Sequence, residues 1–363
     1  VIFFLAVFGV PSLIALGFLI FGGRRVTLWE FLAHLGAQAA VAGAACGITY
    51  YAATYDNEVW NGRVSDKKRV TVPCSHSYSC NCTTDSEGNT TCDTCYEHWC
   101  DYDWMVYTTN GESIEINRVD RQGEDEPSRW TVTKMGEPTA VRHHYTNYIK
   151  AAPDTLFRRA AEYEKYKGTV PTYPIKVYDY WHLDRVIADG VALADVRQWN
   201  EAFSQLNAEL GARKQANVVF VIVRDRAPEW FYALEHSWLG GKKNDVIVVV
   251  SADPKGSISW VSVMAWTKNE MVKVRLRDDL QALGNIDKLA EVLKIVHEDV
   301  SQFYVRRSMD EFKYLRACIT PSTTAWVVSL IVAVLIAIGL GILFYMHETF
   351  TPEDHGPSQR WRY

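Results

Sequence analysis

Two long apolar runs bracket the chain, and the stretch between them is mixed in polarity. Residues 1–21 (VIFFLAVFGVPSLIALGFLIF) and residues 319–347 contain no Asp, Glu, Lys or Arg. At about 1.5 Å per residue, some 20 apolar residues cross roughly 30 Å of hydrocarbon as a helix. The pattern predicts one span at 1–21, expected to kink at Pro11, and another at 326–345, framed by Trp326 and Tyr345 as interface aromatics. A weaker, Ala-rich span is predicted at 28–53, after a polar turn at 22–26, and Thr27-Leu-Trp-Glu30 reads as a capping box at its start. Gly43 and Gly47 form a small-xxx-small pattern suited to close helix approach. A cleavable signal peptide is the rival reading of residues 1–21. The second span that follows at once favours a transmembrane hairpin.

Glu30, His34 and Gln38 recur every four residues on one face of the second span. Polar groups at membrane depth can mark an ion path. A single line of three is read instead as one interface residue and two packing residues, and a channel or transporter subunit is kept only as a second alternative.

Between the spans the periodicity changes twice. Residues 105–150 read as short strands and turns: WMVYTT, an Asn110-Gly111 turn, the alternating Ser113-Ile114-Glu115-Ile116-Asn117, and later RWTVTKM. Arg118, Asp120, Arg121 and Arg129 are read as solvated charges and surface pairs. From about residue 172 helix and strand alternate. A helix at 195–212 carries Val196, Trp199, Phe203, Leu206 and Leu210 on one face, and a buried strand follows at 217–224. Pro228 opens a helix with Trp230, Phe231, Leu234 and Trp238, stopped by Gly240-Gly241. A second buried strand starts at Val246, a third covers 258–266 after the Asp253-Pro-Lys-Gly256 turn, and an amphipathic helix covers 286–304. The predicted order is α-β-α-β-β-α.

The expected fold class is thus a membrane-anchored α/β protein with three transmembrane helices, a small cysteine-stapled β-rich module and a layered α/β domain. The boundaries are a hairpin at 1–54, the cysteine-rich β module at 55–150 and a linker at 151–171. The α/β domain at 172–305, a basic juxtamembrane segment at 306–325, the span at 326–345 and a tail at 346–363 complete the chain.

Composition changes this picture only in part. Hydrophobic residues make up 48% of the 363, which excludes wholesale disorder. The net charge of −5 argues against a nucleic-acid partner. The cysteines change more. Cys46 and Cys318 lie in or beside spans and read as buried or membrane-embedded thiols, while Cys74, Cys80, Cys82, Cys92, Cys95 and Cys100 crowd together with His76 and His98 interleaved. In an oxidising compartment these six are disulfide candidates, with 15 possible full pairings. In a reducing one, Cys92-x2-Cys95 with Cys80, Cys82, His98 or Cys100 would hold zinc. Either way the module is read as a structural staple. Asn81 and Asn89 also fit the glycosylation pattern, which carries meaning only in a eukaryotic secretory pathway.

With three spans the middle domain shares a side with the N-terminus, and the 22–26 turn shares a side with the tail. Setting Arg24, Arg25, Arg360 and Arg362 of the turn and tail against the eight Arg and Lys at the membrane-proximal ends of the middle domain favours a cytoplasmic middle domain. The first hairpin, with Arg24 and Arg25 at its tip, favours an exported one.

The stretch from Val177 and Asp179 to about Phe303 resembles a TPM domain. This family occurs in a photosystem repair protein, in bacterial membrane-anchored proteins and in a nematode receptor-associated protein. The matching features are the V-x-D opening, a long helix, the VVFVIV strand, the helix ending in Trp238-Leu-Gly-Gly241, the VIVVVS strand and a closing strand rich in small and aromatic residues. The cysteine module and the two leading spans depart from the family pattern. The runs Thr94–His98, Val119–Gly123 and Tyr145–Lys150 resemble uncharacterised membrane proteins of tailed bacteriophages, a group with no activity to lend.

The TPM resemblance implies an extracytoplasmic domain tethered by membrane helices, and so an integral protein of a bacterial inner membrane with residues 55–325 outside the cytoplasm. It also implies disulfides over zinc. The expected role is an interaction or assembly platform in the lipid bilayer for a membrane protein partner. The alternative that the family lends is a weak metal-dependent phosphatase, with Asp179, Asp225 and Asp253 as candidate catalytic groups holding Ca²⁺ or Mg²⁺. No glycine-rich phosphate loop, G-x-S-x-G elbow or H-E-x-x-H helix is present, so enzymatic activity is left open.

Overall fold

The computed structural model describes residues 2–22, 25–152, 160–190 and 195–347. Arg24, part of the expected linker and residues 348–363 of the expected tail, with Arg360 and Arg362, lie outside the described residues. In chain order the elements begin with α1 (Ile2–Phe21), α2 (Leu28–Thr54), β1 (Tyr55–Pro73), β2 (Ser77–Thr84), β3 (Thr90–Tyr96), β4 (Cys100–Thr108) and β5 (Ser113–Ile116). Next come α3 (Ser128–Val132), β6 (Pro138–Thr146), α4 (Tyr148–Ala151), α5 (Ala160–Tyr166), β7 (Val186–Asp189) and α6 (Val196–Lys214). The chain closes with β8 (Asn217–Arg224), α7 (Trp230–Trp238), β9 (Asp245–Ala252), β10 (Ile258–Ala265), α8 (Met271–Leu283), α9 (Leu289–Phe303) and α10 (Thr323–Met346). They fall into two compact units, Val1–Tyr55 with Thr146–Pro153 and Phe312–Tyr363, and Asp56–Tyr145 with Asp154–Glu311.

The first unit holds three helices long and apolar enough to cross a membrane, α1, α2 and α10. Each buries a stripe spaced by three or four residues: Phe3, Val7, Pro11 and Ala15 on α1, Glu30, His34, Gln38 and Ala42 on α2, and Ala333, Ala337, Gly341 and Phe344 on α10. One α1 helix runs continuously through Pro11. The capping box forms as expected, with the Glu30 carboxylate accepting from the Thr27 amide at 2.8 Å and the Thr27 hydroxyl accepting from the Glu30 amide at 3.3 Å. One expectation is corrected, and one residue is more buried than its polarity suggests. Glu30, in the first turn of α2, is fully buried against its neighbours rather than open to solvent. Gly43 and Gly47 face open space, and the close approach falls at Gly341, where an added Cβ would overlap the Phe18 ring. α10 has small residues on its buried stripe, and those admit the neighbouring ring.

The second unit holds two four-stranded sheets. One has the order β5-β4-β1-β6, with β1–β4 and β4–β5 antiparallel. The Asn110-Gly111 hairpin joins β4 to β5 as expected, but RWTVTKM gives the short helix α3 rather than a strand. Trp130 of α3 then stacks edge-on against Trp104 at 4.7 Å. The other sheet has the order β10-β9-β8-β7, with β7, β8 and β9 parallel and β10 antiparallel. Here β8 and β9 are buried on both faces, as their unbroken Val/Ile runs require. α6, α8 and α9 cover one face through Phe203, Leu210, Leu276, Val292 and Val296, while α7 covers the other through Trp230, Leu234 and Trp238. The expected order lacked β7 and α8.

The first half of β1 runs along the amino ends of β8 and β9 through a buried polar seam. Asn61 donates to Asn217 Oδ1 at 3.1 Å and accepts from Arg185, and Asn217 donates to Asp245 at 2.7 Å. The Tyr173 hydroxyl and the Lys242 amide also donate to Asp245, at 2.7 and 2.6 Å. Burial pulls the Arg185 guanidinium down to about 10, against the charges around Tyr173 and Asp245. Burial pushes the Asp245 carboxyl up to about 6, against its hydrogen bonds from Lys242, Asn217 and Tyr173. Alongside, fully buried Glu58 meets Arg306 at 2.5 Å, Lys243 at 3.5 Å and His143 at 3.4 Å.

Two outcomes are expected. Gly341→Val should lower the Tm of the detergent-solubilised chain, at a cost of about 1–3 kcal/mol from overpacking, whereas Gly43→Val should change it little. The second concerns Asp299 on α9, pushed up to about 6 by burial and by the charge of Asp279, with its Oδ2 lacking a partner. A carboxyl raised above its unfolded value of about 3.9 contributes fully below that pH and loses the contribution as pH rises through about 6. Asp299→Asn should therefore raise Tm by about 2 °C at pH 7.5 and leave it unchanged near pH 4, as read by thermal unfolding across pH.

Candidate functional site

The cysteine segment folds as the β2–β3 hairpin, and its pairing follows from side-chain parity. In a regular strand Cys80 and Cys82, two apart, share a face, whereas Cys92 and Cys95, three apart, do not. A register shift between Cys80 and Thr83, with Asn81 at φ 46°, reverses the face of Cys82. Cys80 then bridges Cys95, and Cys82 bridges Cys92. Asparagine tolerates the left-handed conformation that this bulge needs. Cys92 and Cys95 thus go to separate partners and do not share a metal.

At the base of the hairpin lies a cluster that the sequence reading did not assemble. Cys74 and His76 precede β2, and His98 and Asp101 follow β3. Cys74 Sγ lies 3.9 Å from His76 Nδ1 and 3.8 Å from His98 Nδ1. Asp101 Oδ2 lies 3.4 Å from His76 Nδ1, and its Oδ1 lies 3.3 Å from His98 Nδ1. Cys74 and Asp101 are buried and the two imidazoles half-buried. The His76 amide points at the sulfur at 3.4 Å. Asp101 also accepts from the Ser75 amide and hydroxyl at 3.1 and 3.2 Å and from Arg118 at 3.0 Å. Burial alone would raise the Asp101 carboxyl, but these donors outweigh it and hold it well below the ordinary carboxylate range. Arg118, expected as a solvated charge or surface pair, is paired with buried Asp101 at 3.0 Å and with Asp103 at 2.6 Å. Beside the cluster a surface groove of about 600 Å³ is lined by Pro73, Cys74, Tyr96, Glu97, His98 and Trp99, and Trp99 is 98% exposed.

Of the residues marked from sequence, His98 and Cys74 join this cluster; Cys74 and Cys100, both marked as disulfide candidates, are free thiols, and Cys100 is not a member of the cluster. The phosphatase candidates are placed apart from it. Asp179 pairs with Arg129 at 3.0 Å and with His182 at 3.5 Å, and Arg129 lies over the Trp181 ring, so this arginine is paired. Asp253 accepts the Lys255 and Ser257 amides at 2.8 Å and so shapes the turn after β9. Asp225 follows β8 at φ 46° beside Arg224. Among the described residues these three form no group able to hold a metal. Cys74, His76 and Asp101 escaped notice as a set. The signal was the near-mirror C-x-H and H-x2-D at the two ends of one hairpin. No protein-family profile, curated protein or solved structure matches the chain.

The parity argument predicts that Asn81→Gly keeps both bridges. Asn81→Val, a β-branched residue in the left-handed region, should scramble them at a cost of about 1–2 kcal/mol. Non-reducing peptide mapping reads the pairing.

Proposed function

We propose that this chain is an integral membrane protein whose polar unit faces an oxidising compartment and serves as a docking platform for a membrane protein partner. The observation that carries the reading is the pair of disulfide-bonded cysteine couples in a unit joined in sequence to three membrane-length apolar helices. Disulfides persist outside the cytosol. The TPM resemblance supports the same side, with residues 55–325 outside a bacterial inner membrane. The exposed aromatics Trp99 and Tyr96 beside the groove suit a protein contact, since interface cores favour such side chains.

Two measurements in native membranes test this. A cysteine placed at Arg197, whose side chain is 85% exposed, should react with an impermeant maleimide from outside the cytoplasmic membrane. A photo-crosslinker at Trp99 should capture one stoichiometric membrane protein, and one at Arg197 should not. Labelling only after the membrane is opened, or equal capture at both positions, sinks the reading.

A further inference from the structure

We infer that Cys74, His76, His98 and Asp101 form a structural zinc site that clamps the base of the β2–β3 hairpin. Ligand lengths of about 2.3 Å to sulfur, 2.0–2.1 Å to nitrogen and 2.0–2.2 Å to oxygen fix the edges of a tetrahedron around Zn²⁺. These edges come to about 3.6 Å for sulfur–nitrogen pairs and about 3.3 Å for nitrogen–oxygen pairs. The sulfur–nitrogen separations here are 3.8 and 3.9 Å, the nitrogen–oxygen separations are 3.3 Å from His98 to Asp101 Oδ1 and 3.4 Å from His76 to Asp101 Oδ2, and all four ligand atoms lie within 4.8 Å of one another. Inward closure of the four ligand atoms, with Asp101 ligating through one oxygen, completes the geometry. The donor set of one thiolate, two imidazole nitrogens and one carboxylate suits Zn²⁺, and its nitrogen and sulfur donors are wrong for Ca²⁺ or Mg²⁺.

The surroundings fit a ligand set. The His76 amide directed at Cys74 Sγ stabilises a thiolate, and Ser75 and Arg118 orient the Asp101 carboxylate as outer partners of a metal ligand. From Cys74 to Trp104 the chain has six acidic residues, Asp85, Glu87, Asp93, Glu97, Asp101 and Asp103, and no Lys or Arg. That charge favours a cation. Four protein ligands leave no open position, so the site is structural and not hydrolytic. It also accounts for an unbridged, buried Cys74 beside a hairpin whose four cysteines are bridged. The hairpin then carries three cross-links in series: Cys82–Cys92 nearest the turn, Cys80–Cys95 midway, and the metal where both legs meet the β1–β4 pair.

The inference deepens the platform reading, because the groove beside Trp99 is walled by Cys74 and His98. Its test is separate, since a chain without zinc can still capture a partner. The full chain, purified in detergent without chelator, is analysed for metal and for intact mass. The expected result is one zinc per chain, with a mass lower by about four daltons for two bridges. The variant His76→Asn with His98→Asn should lose the zinc and keep both bridges. Ser75→Ala should weaken zinc about tenfold. In case the double variant misfolds, Co²⁺ exchanged into the unmodified chain should give a visible spectrum of tetrahedral intensity with a sulfur charge-transfer band. Substoichiometric zinc after loading, a third bridge joining Cys74 to Cys100, or equal zinc in the double variant would overturn the inference.

Discussion

Buried polar groups must find partners, and in this molecule that requirement fixes the polar unit. Asn61, Arg185, Asn217 and Asp245 are all nearly or wholly sequestered from water, and each depends on another for its hydrogen bonds. Removing one member of such a set costs about 3–5 kcal/mol, because the remaining charge or amide stays buried without compensation. The set reaches from β1 across to β8 and β9, so it joins two sheets that share no strand pairing. It also occupies the amino ends of the parallel strands. The carboxyl ends, with Asp189, Asp225 and Asp253, are left to the loops.

β1 does two jobs along its 19 residues. Its first half is held in the seam through Asp56, Glu58 and Asn61. Its second half, from Val64 to Pro73, pairs with β4 and ends where the hairpin base begins. One strand therefore connects the most tightly packed part of the unit to its most exposed part.

Much of the fold was legible because burial and periodicity agree. The apolar helices, the strands at 217–224 and 245–252 and the helix at 196–214 all follow uninterrupted or strongly periodic patterns. What escaped notice had weaker or misleading local signals. β7 is only four residues long, and α8 hides Val272, Leu276 and Leu280 among closely spaced charges. Asp56 and Glu58 carry no local signal of burial, yet they are buried because Lys242, Lys243 and Arg306 reach them from distant parts of the chain. Of the candidate site, the cysteine crowding was visible. The sorting of those cysteines was not, since it turns on one left-handed residue, Asn81. The Cys74–Asp101 cluster brings together residues from opposite ends of the hairpin, which only a known register reveals.

The two bridges are nested, with Cys82–Cys92 inside Cys80–Cys95. Either can close first without trapping the chain, because neither loop threads the other. The shortest routes to oxidation, Cys80 with Cys82 and Cys92 with Cys95, both join cysteines of the same strand. Strand register sets each cysteine opposite its partner on the other strand, so backbone pairing selects the native bonds over the same-strand ones.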